Sequence, residues 1–352
     1  MDDPTPTMLS GSPGAGTGLP ASGALLLTRA DIIALMSPAA YADAIEAGFR
    51  ALASGAALAP APLHIPAHGG GFHAKGALLE GPRRHVAVKI NSNFPGNPKR
   101  HGLPTIQGVI ALFDADDGRL LALVDSIEIT LRRTAAASAL AARYLARRDA
   151  TAIAMCGCGE QARAQLAALA AELSIGRVYA WDLDGEAAQR FAAQMHAELG
   201  IAVSVVSEMR TGTLASDVIV TATPARAPFL GSADVRRGTF VAAVGADHPE
   251  KSEIEPELMK RASVFVDVRE QCLAMGDLRH AVAAGAMAVE DVRADLSELV
   301  AGSRPGRAGA DEITIFDSTG TAVQDVAAAI AVYERARRAG IGTSIRLDPA
   351  IP

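Results

Sequence analysis

The chain has 352 residues, room for two domains at roughly 150 residues each. Its 49% hydrophobic and 20% charged content supports a sizeable core and excludes a disordered or coiled-coil chain. A net charge of −6 calls for neither nucleic acid nor an anionic membrane as partner, and no uninterrupted apolar run reaches the ~18 residues of a membrane span.

In chain order, the first 24 residues are rich in Gly, Pro, Ser and Thr, lack Lys and Arg, and read as a flexible leader rather than a signal peptide. Thr28 ahead of Asp31-Ile32-Ile33 caps a first helical turn. Ser37-Pro38 then starts a helix through Tyr41, Ile45, Phe49 and Leu52 that ends near Gly55. Residues 56–81 have the Pro, Gly and His content of loops with at most one short strand. His68, His73 and Lys75 fall there, either as a flexible substrate lid or as solvated loop residues. His85 to Ile90 reads as a strand and 93–104 as a structured connection. Ile106–Phe113 and Leu120–Val124 read as a hairpin across Asp116-Asp117-Gly118. An alanine-rich helix follows from Ile129 to Leu145.

At Asp149 the texture changes. Short apolar strands now alternate with helices: Ala152–Met155, Gln161–Leu173, Arg177–Trp181, Glu186–Leu199, Val203–Val206, Asp217–Thr221 and Thr239–Val244. Ser263–Val266 and Ile313–Ile315 are further strands. This rhythm predicts an α/β chain, a Rossmann-type doubly wound parallel sheet with a second α+β domain beside it. A last helix, Ala322–Ala339, can pack back on the first domain. The expected division is 1–24 as leader, 25–140 with 320–352 as one domain, and 141–319 as the nucleotide-binding domain. Three cysteines (Cys156, Cys158, Cys272) cannot form a disulfide framework, and an odd number fits a reducing, cytoplasmic compartment. No Cys/His pattern completes a zinc site, so no metal is expected.

The segment Ile153-Ala-Met-Cys-Gly157-Cys-Gly159-Glu160-Gln161-Ala162 runs from a strand through Gly-x-Gly-x-x-Ala into a helix. Gly157 permits the tight turn, Gly159 lets a pyrophosphate approach the backbone, and Ala162 allows close helix–sheet contact. The helix N-terminus attracts the phosphates. The next strand ends at Trp181-Asp182. A carboxylate there can accept hydrogen bonds from the adenosine ribose, favouring NAD over NADP, whose 2′-phosphate it repels. Asp184 is the rival for that role. Thr223-Pro224 and Asp247-His248 follow later strands, at the carboxyl edge where such sheets bind ligands.

The candidate catalytic groups lie in the first domain. Lys89 alternates with Val88 and Ile90, so it occupies the opposite face of its strand, either as an edge lysine or pointing into a cleft. Arg132 and Arg133 open the alanine-rich helix, where cations do nothing for the helix dipole. One of them can grip a carboxylate in bidentate fashion. No Ser-His-Asp order and no His-Glu-x-x-His motif appears, which removes hydrolase and zincin readings.

Taken together these stretches resemble the ornithine cyclodeaminase/mu-crystallin family. The resemblance rests on Lys89 with Asn93-Phe-Pro95-Gly-Asn97 and Gly102-Leu-Pro104-Thr-Ile-Gln-Gly108, on Thr130-Leu-Arg132-Arg133-Thr134-Ala135-Ala136, and on Gly157-Cys-Gly159-Glu-Gln161-Ala162. It extends to Gly245-Ala-Asp247-His-Pro249-Glu-Lys251-Ser-Glu253 and Phe316-Asp-Ser318-Thr-Gly320-Thr-Ala-Val-Gln324-Asp325. It implies a homodimer formed through the non-Rossmann domain, NAD(P) as cofactor, and an α-amino or α-imino acid as substrate. By the same resemblance Lys89 and Arg133 contact substrate, and Asp247 lies beside its reacting end, so that Lys89 and Asp247 are the catalytic candidates. Glu160, Gln161, Thr134 and Thr223 join Gly157, Gly159, Ala162 and Asp182 as cofactor-site candidates. The family's upstream Pro-x-Arg is replaced here by Pro62-Leu63-His64. Either Arg133, Lys75 or Lys89 then holds the substrate carboxylate, with His64 beside it, or the substrate differs from ornithine.

The expected reaction is NAD-dependent hydride transfer at the α-carbon of a small amino or imino acid, as in an ornithine cyclodeaminase or a cyclic ketimine reductase. The alternatives are an alanine dehydrogenase-type enzyme and a non-catalytic, crystallin-like binding protein. The second is disfavoured because Lys89 and Arg133 are both retained.

Overall fold

Two eight-stranded sheets organise residues 23–347, the span that the computed structural model describes. The leader expected over 1–24 lies, up to residue 22, outside the described residues. Ala24 already belongs to a strand.

The first sheet is mixed. Its order is Thr343–Ile345, Ala24–Leu27, Leu120–Asp125, Ile106–Asp114, His85–Asn93, Gly70–Leu79 and Ala57–Leu58, with Leu63–Ala67 also paired to Gly70–Leu79. Ala24–Leu27 runs parallel to Leu120–Asp125 and the other neighbours are antiparallel. Helix Ala322–Ala339 lies across Gly70–Leu79 and His85–Asn93 and packs on helix Pro38–Ala53. Its alanines let it approach closely, burying Val323, Val326, Ala328, Ala329 and Val332.

Three sequence expectations change here. Residues 56–81 form three strands, not loops with one, because His and Gly positions disguise an alternation that the neighbouring strands complete with backbone hydrogen bonds. His73 and Lys75 therefore stand on a ten-residue strand and not on a lid. The alanine-rich helix begins at Ser126, capped by Asp125 accepting from the Ile127 and Glu128 amides. Arg132 and Arg133 thus lie well beyond its first turn, clear of the unfavourable N-terminal end.

The second sheet is parallel throughout: Ala202–Val205, Arg177–Trp181, Ala152–Cys156, Val218–Thr221, Phe240–Ala243, Thr314–Asp317, Ser263–Val266 and Ala294–Asp295. A Rossmann-like sheet beside a mixed α+β sheet is the architecture that the strand–helix rhythm predicts. Strand order reverses between Ala152–Cys156 and Val218–Thr221, so a ligand crevice opens at their carboxyl ends. Thr314–Asp317 sits inside the sheet although it comes late in the chain. It delivers the chain from that carboxyl edge straight into Ser318–Thr321 and helix Ala322–Ala339, and so carries Asp325 under the first sheet. Among the described residues no single helix is long and apolar enough to cross a membrane.

Candidate active site

Antiparallel register places one cation opposite another. Lys75 pairs with Lys89, and Lys89 with Ile110. Side chains alternate along His85–Asn93, and the face bearing His85, Ala87 and Lys89 is the covered one: Lys89 is 4% exposed, whereas its neighbour Ile90 is 47% exposed. Lys89 is thus a buried lysine of an interior strand, the reverse of an edge residue. Its Nζ forms an ion pair with Asp325 Oδ2 at 2.7 Å and lies 3.4 Å from Thr130 Oγ1. Arg133 reaches the other carboxylate oxygen, Nε to Oδ1 at 3.1 Å, and donates from Nη1 to Gln324 Oε1 at 2.5 Å. Lys75 Nζ donates to the Gly320 carbonyl at 2.8 Å, and among the described residues it has no ion pair. Arg132, by contrast, turns to Glu128 one helical turn back, at 2.9 Å, and stays apart from this cluster.

Lys89 and Arg133 therefore share one directly paired carboxylate, with Lys75 as a third cation beside them. Burial disfavours each charge, and opposite charge must compensate. Burial, reinforced by Arg133 and Lys75, pushes the Lys89 ammonium down to about 7 even though Asp325 opposes the shift. Lys75 is also lowered, by burial and then by Arg133. Burial works against the Asp325 carboxylate too, but Lys89 and Arg133 outweigh it and hold Asp325 below the ordinary carboxylate range. Only Asp325 pairs directly with the cations among the described residues; Asp247 and Asp267 act on Lys75 from farther off. Asp325, given no role by the sequence, is the carboxylate that holds Lys89 and Arg133 together.

Across the crevice is the glycine turn. Gly157 has φ +95°, and a Cβ there would lie 2.7 Å from the Ala222 carbonyl oxygen, so only glycine fits. A Cβ on Gly159 would meet nothing within 4 Å, and Gly159 caps helix Glu160–Glu172 without a side-chain hydrogen bond. The first amides of that helix thus face open space, as a phosphate site requires. Asp182 follows the neighbouring strand. Its Oδ2 accepts from Cys158 N at 2.8 Å and its Oδ1 from Asp184 N at 2.9 Å, which fixes the carboxylate at the turn. Asp184 instead caps helix Gly185–Leu199. Ala162 is buried in the sheet–helix interface, Gln161 Nε2 donates to the Leu131 carbonyl at 3.4 Å, and Glu160 pairs with Arg163. Thr134 spends its hydroxyl on the Thr130 carbonyl, 2.8 Å away. Cys156 and Cys158 are buried, and burial pushes the Cys158 thiol up to about 12, so it is unreactive at neutral pH.

Between these halves, Glu253 ties two strand ends together. Its Oε1 accepts from Thr223 N at 2.7 Å and Thr223 Oγ1 at 2.6 Å, and its Oε2 accepts from Gly245 N at 2.8 Å. Burial, then Asp277, raises its carboxyl to about 7. Glu253→Gln replaces one acceptor with a donor facing an amide or hydroxyl donor. It should lower kcat/KM by roughly tenfold while leaving the chain folded, since a lost charged hydrogen bond is worth about 1.5–3 kcal/mol. Steady-state kinetics beside a thermal melt check this. Asp247, beyond Gly245, is exposed and forms an ion pair with Lys251 at 2.6 Å. His64 and His73 face one another across their strands, Nδ1 to Nδ1 at 3.3 Å, and the His248 ring lies 6.4 and 6.3 Å from theirs between centroids. Among the described residues no group of His, Cys, Asp or Glu is arranged to hold a metal.

The ornithine cyclodeaminase/mu-crystallin family model matches residues 23–340. The chain belongs to that family. It is 38% identical to an alanine dehydrogenase of Archaeoglobus fulgidus over 322 residues, 92% of this chain and 98% of the relative. It is 37% identical to an iminosuccinate reductase of Paracoccus denitrificans over 331 residues, 92% of this chain and 100% of the relative. Among solved structures, the Δ1-pyrroline-2-carboxylate reductase of Thermococcus litoralis, in complex with NADH and L-proline, superposes with a TM-score of 0.88. It is 34% identical and covers 91% of this chain and 100% of its own. An archaeal alanine dehydrogenase dimer with bound NAD also superposes at 0.88, with 38% identity over 93% of this chain and 100% of its own. The chain thus shares its two-sheet architecture with an alanine dehydrogenase and a Δ1-pyrroline-2-carboxylate reductase.

Proposed function

We propose that the chain is an NAD-dependent oxidoreductase that interconverts an open-chain α-imino acid and the corresponding α-amino acid, as an alanine dehydrogenase does, and not a cyclodeaminase. The carrying observation is the cluster in which Lys89 and Arg133 close on Asp325 while Lys75 stands beside them on the Gly320 carbonyl. The residues at the glycine turn fit NAD: open space over Gly159, uncapped helix amides and a fixed carboxylate at Asp182. When bound, NAD exchanges hydride with the substrate's α-carbon.

The chain's own side chains do the rest. Arg133 and Lys75 bind the substrate α-carboxylate and orient the molecule. Lys89, with an ammonium poised near neutral pH, gives a proton to the imino nitrogen in reduction and takes one back in oxidation. Asp325 stays ionised, holds Lys89 in place and opposes the other cations. The resemblance sets Asp247 beside the reacting end of a cyclodeaminase's substrate, but here Asp247 is already engaged by Lys251. The similarity to an alanine dehydrogenase at 38% identity and to an iminosuccinate reductase at 37% supports the same choice.

Leu63, Ile65, Phe72, Ile90 and Val109 crop out on the face of the first sheet opposite Lys89. Apolar residues gathered on one sheet face call for a cover, and a second copy of the chain, giving a homodimer, supplies it.

The test is NADH consumption with a 2-oxo acid plus ammonia, pyruvate and oxaloacetate both included, beside ammonia release from ornithine. The expected result is NADH oxidation with an open-chain acid and no ammonia from ornithine. Release of ammonia from ornithine with no net change in NADH overturns it. Asp182→Ala should weaken NADH binding by roughly 10–100-fold through loss of charge-assisted hydrogen bonds, and should narrow the preference over NADPH. Titration calorimetry with both cofactors reads this directly.

A further inference from the structure

One backbone turn touches both cations of the carboxylate clamp. Strand Thr314–Asp317 leaves the parallel sheet into Ser318-Thr319-Gly320, and the Gly320 carbonyl accepts from Lys75 Nζ at 2.8 Å. Gly320 has φ +75°, and a Cβ on it would collide with the Arg133 guanidinium, so the turn lies flat against that side chain. The turn is itself held by Asp267, which follows strand Ser263–Val266. Asp267 Oδ2 accepts from Thr319 N at 2.8 Å, Gly320 N at 2.6 Å and Ser318 Oγ at 3.4 Å, and its Oδ1 from Thr319 Oγ1 at 3.2 Å. We propose that Asp267 is a positioning residue for substrate binding: it fixes the Gly320 peptide, and through it the spacing of Lys75 and Arg133, a role that rests on the reading of those two cations as the α-carboxylate's partners.

Asp267 is fully buried, and its hydrogen bonds come from neutral donors: those of the turn, the Val268 amide at 2.7 Å and the Cys272 thiol at 3.2 Å. A buried carboxylate is costly, and most of the donors that offset this cost belong to the one turn. Lys75 has the Gly320 carbonyl as its one hydrogen-bond partner among the described residues, so its ammonium stands where that carbonyl points. Gln271, on helix Arg269–Ala274, restrains the same oxygen: its Nε2 donates to Gly320 O at 2.8 Å and to Thr319 Oγ1 at 2.7 Å. The charge of Asp267 acts in the same sense as its geometry. With Asp325 and Asp247 it opposes the lowering that burial and Arg133 impose on the Lys75 ammonium. A cation of the first sheet is thus anchored, through a turn, in the nucleotide-binding sheet. Lys89 is held separately, by Asp325 and Thr130, so substrate binding and proton transfer respond to different changes.

The test follows NADH consumption by the full chain with ammonia and the better of pyruvate and oxaloacetate, and inhibition by oxamate, an unreactive 2-oxo acid mimic. Asp267→Asn turns one acceptor into a donor that faces the turn's own donors. It should raise the KM for the 2-oxo acid and the inhibition constant of oxamate by roughly 10–100-fold, while kcat changes less than about threefold. In a Lys75→Met background the same substitution should raise KM by less than about threefold, because the main group it positions is gone. Gln271→Leu removes the milder restraint on the same oxygen and should raise both constants by roughly 3–10-fold. It decides the matter where Asp267→Asn fails to fold. An unchanged KM in folded Asp267→Asn, or in Gln271→Leu where the first variant does not fold, overturns the positioning role. An equal factor with and without Lys75 overturns it too, since a merely structural role acts alike on both backgrounds. Either result leaves the oxidoreductase reading standing. No NADH consumption by the wild type with any 2-oxo acid plus ammonia overturns both.

Discussion

Lys89→Met should lower kcat/KM for imine reduction by roughly 10²–10⁴-fold, the range of a lost general acid, without loss of NADH binding. The glycine turn and Asp182 belong to the other sheet, so the nucleotide site is untouched. The fold should persist as well, because methionine fills a similar volume and the change removes one of three clustered cations while Arg133 still pairs with Asp325. The wild type carries a matching pH signature. Imine reduction needs the ammonium, so kcat/KM should decline as pH rises through about 7, and the Met variant should lack that limb. Stability runs the other way. The folded pKa lies below the ordinary lysine value of about 10.4, so between about pH 7 and there the unfolded chain binds more protons, and Lys89 costs the fold less as pH rises. Stopped-flow reduction rates, fluorescence titration of NADH and thermal melts separate the three effects. Unchanged turnover in Lys89→Met removes the lysine from the chemistry.

Asp325→Asn should cost more in stability than any other single change in the site, on the order of 3–5 kcal/mol, because it strands buried charge. Lys89 and Arg133 lose their shared partner, and Lys75 adds to the repulsion. Asp325 is also the group that raises the Lys89 pKa, so the pH limb of any residual activity should move to lower pH. Lys89→Met combined with Asp325→Asn should recover part of the lost stability, since removing both partners leaves fewer uncompensated groups than removing one. Denaturant melts of the wild type, the single variants and the double variant complete the cycle. Additive losses would mean that the two residues act independently.

How much of this was legible in the sequence depends on how far each feature reaches along the chain. The glycine turn is contiguous, and its requirements, a positive φ at Gly157 and open space at Gly159, are met within one strand–turn–helix segment. The parallel sheet was legible for the same reason, as each strand announces itself by a short apolar run. The site in the first domain was less so. Alternation put Lys89 opposite Val88 and Ile90, but it does not say which face is covered. The apolar Val88 and Ile90 lie on the less covered face. His73 and Lys75 looked like loop residues because their strand takes its order from pairing with Leu63–Ala67 and His85–Asn93, partners that periodicity does not reveal. Asp325 stood inside a quoted motif without a role. Its position depends on Thr314–Asp317 inserting between two earlier strands, a tertiary fact. Glu253 likewise gains its role only when the ends of Val218–Thr221 and Phe240–Ala243 lie side by side.

The most direct measurement is a crystal structure of the complex with NADH and the amino acid product. The account requires the α-carboxylate to sit within hydrogen-bonding distance of Arg133 and Lys75, with Lys89 Nζ beside the α-nitrogen and the α-carbon against the nicotinamide. A product bound with its α-carboxylate away from those cations, and Lys89 still closed on Asp325 alone, would contradict it.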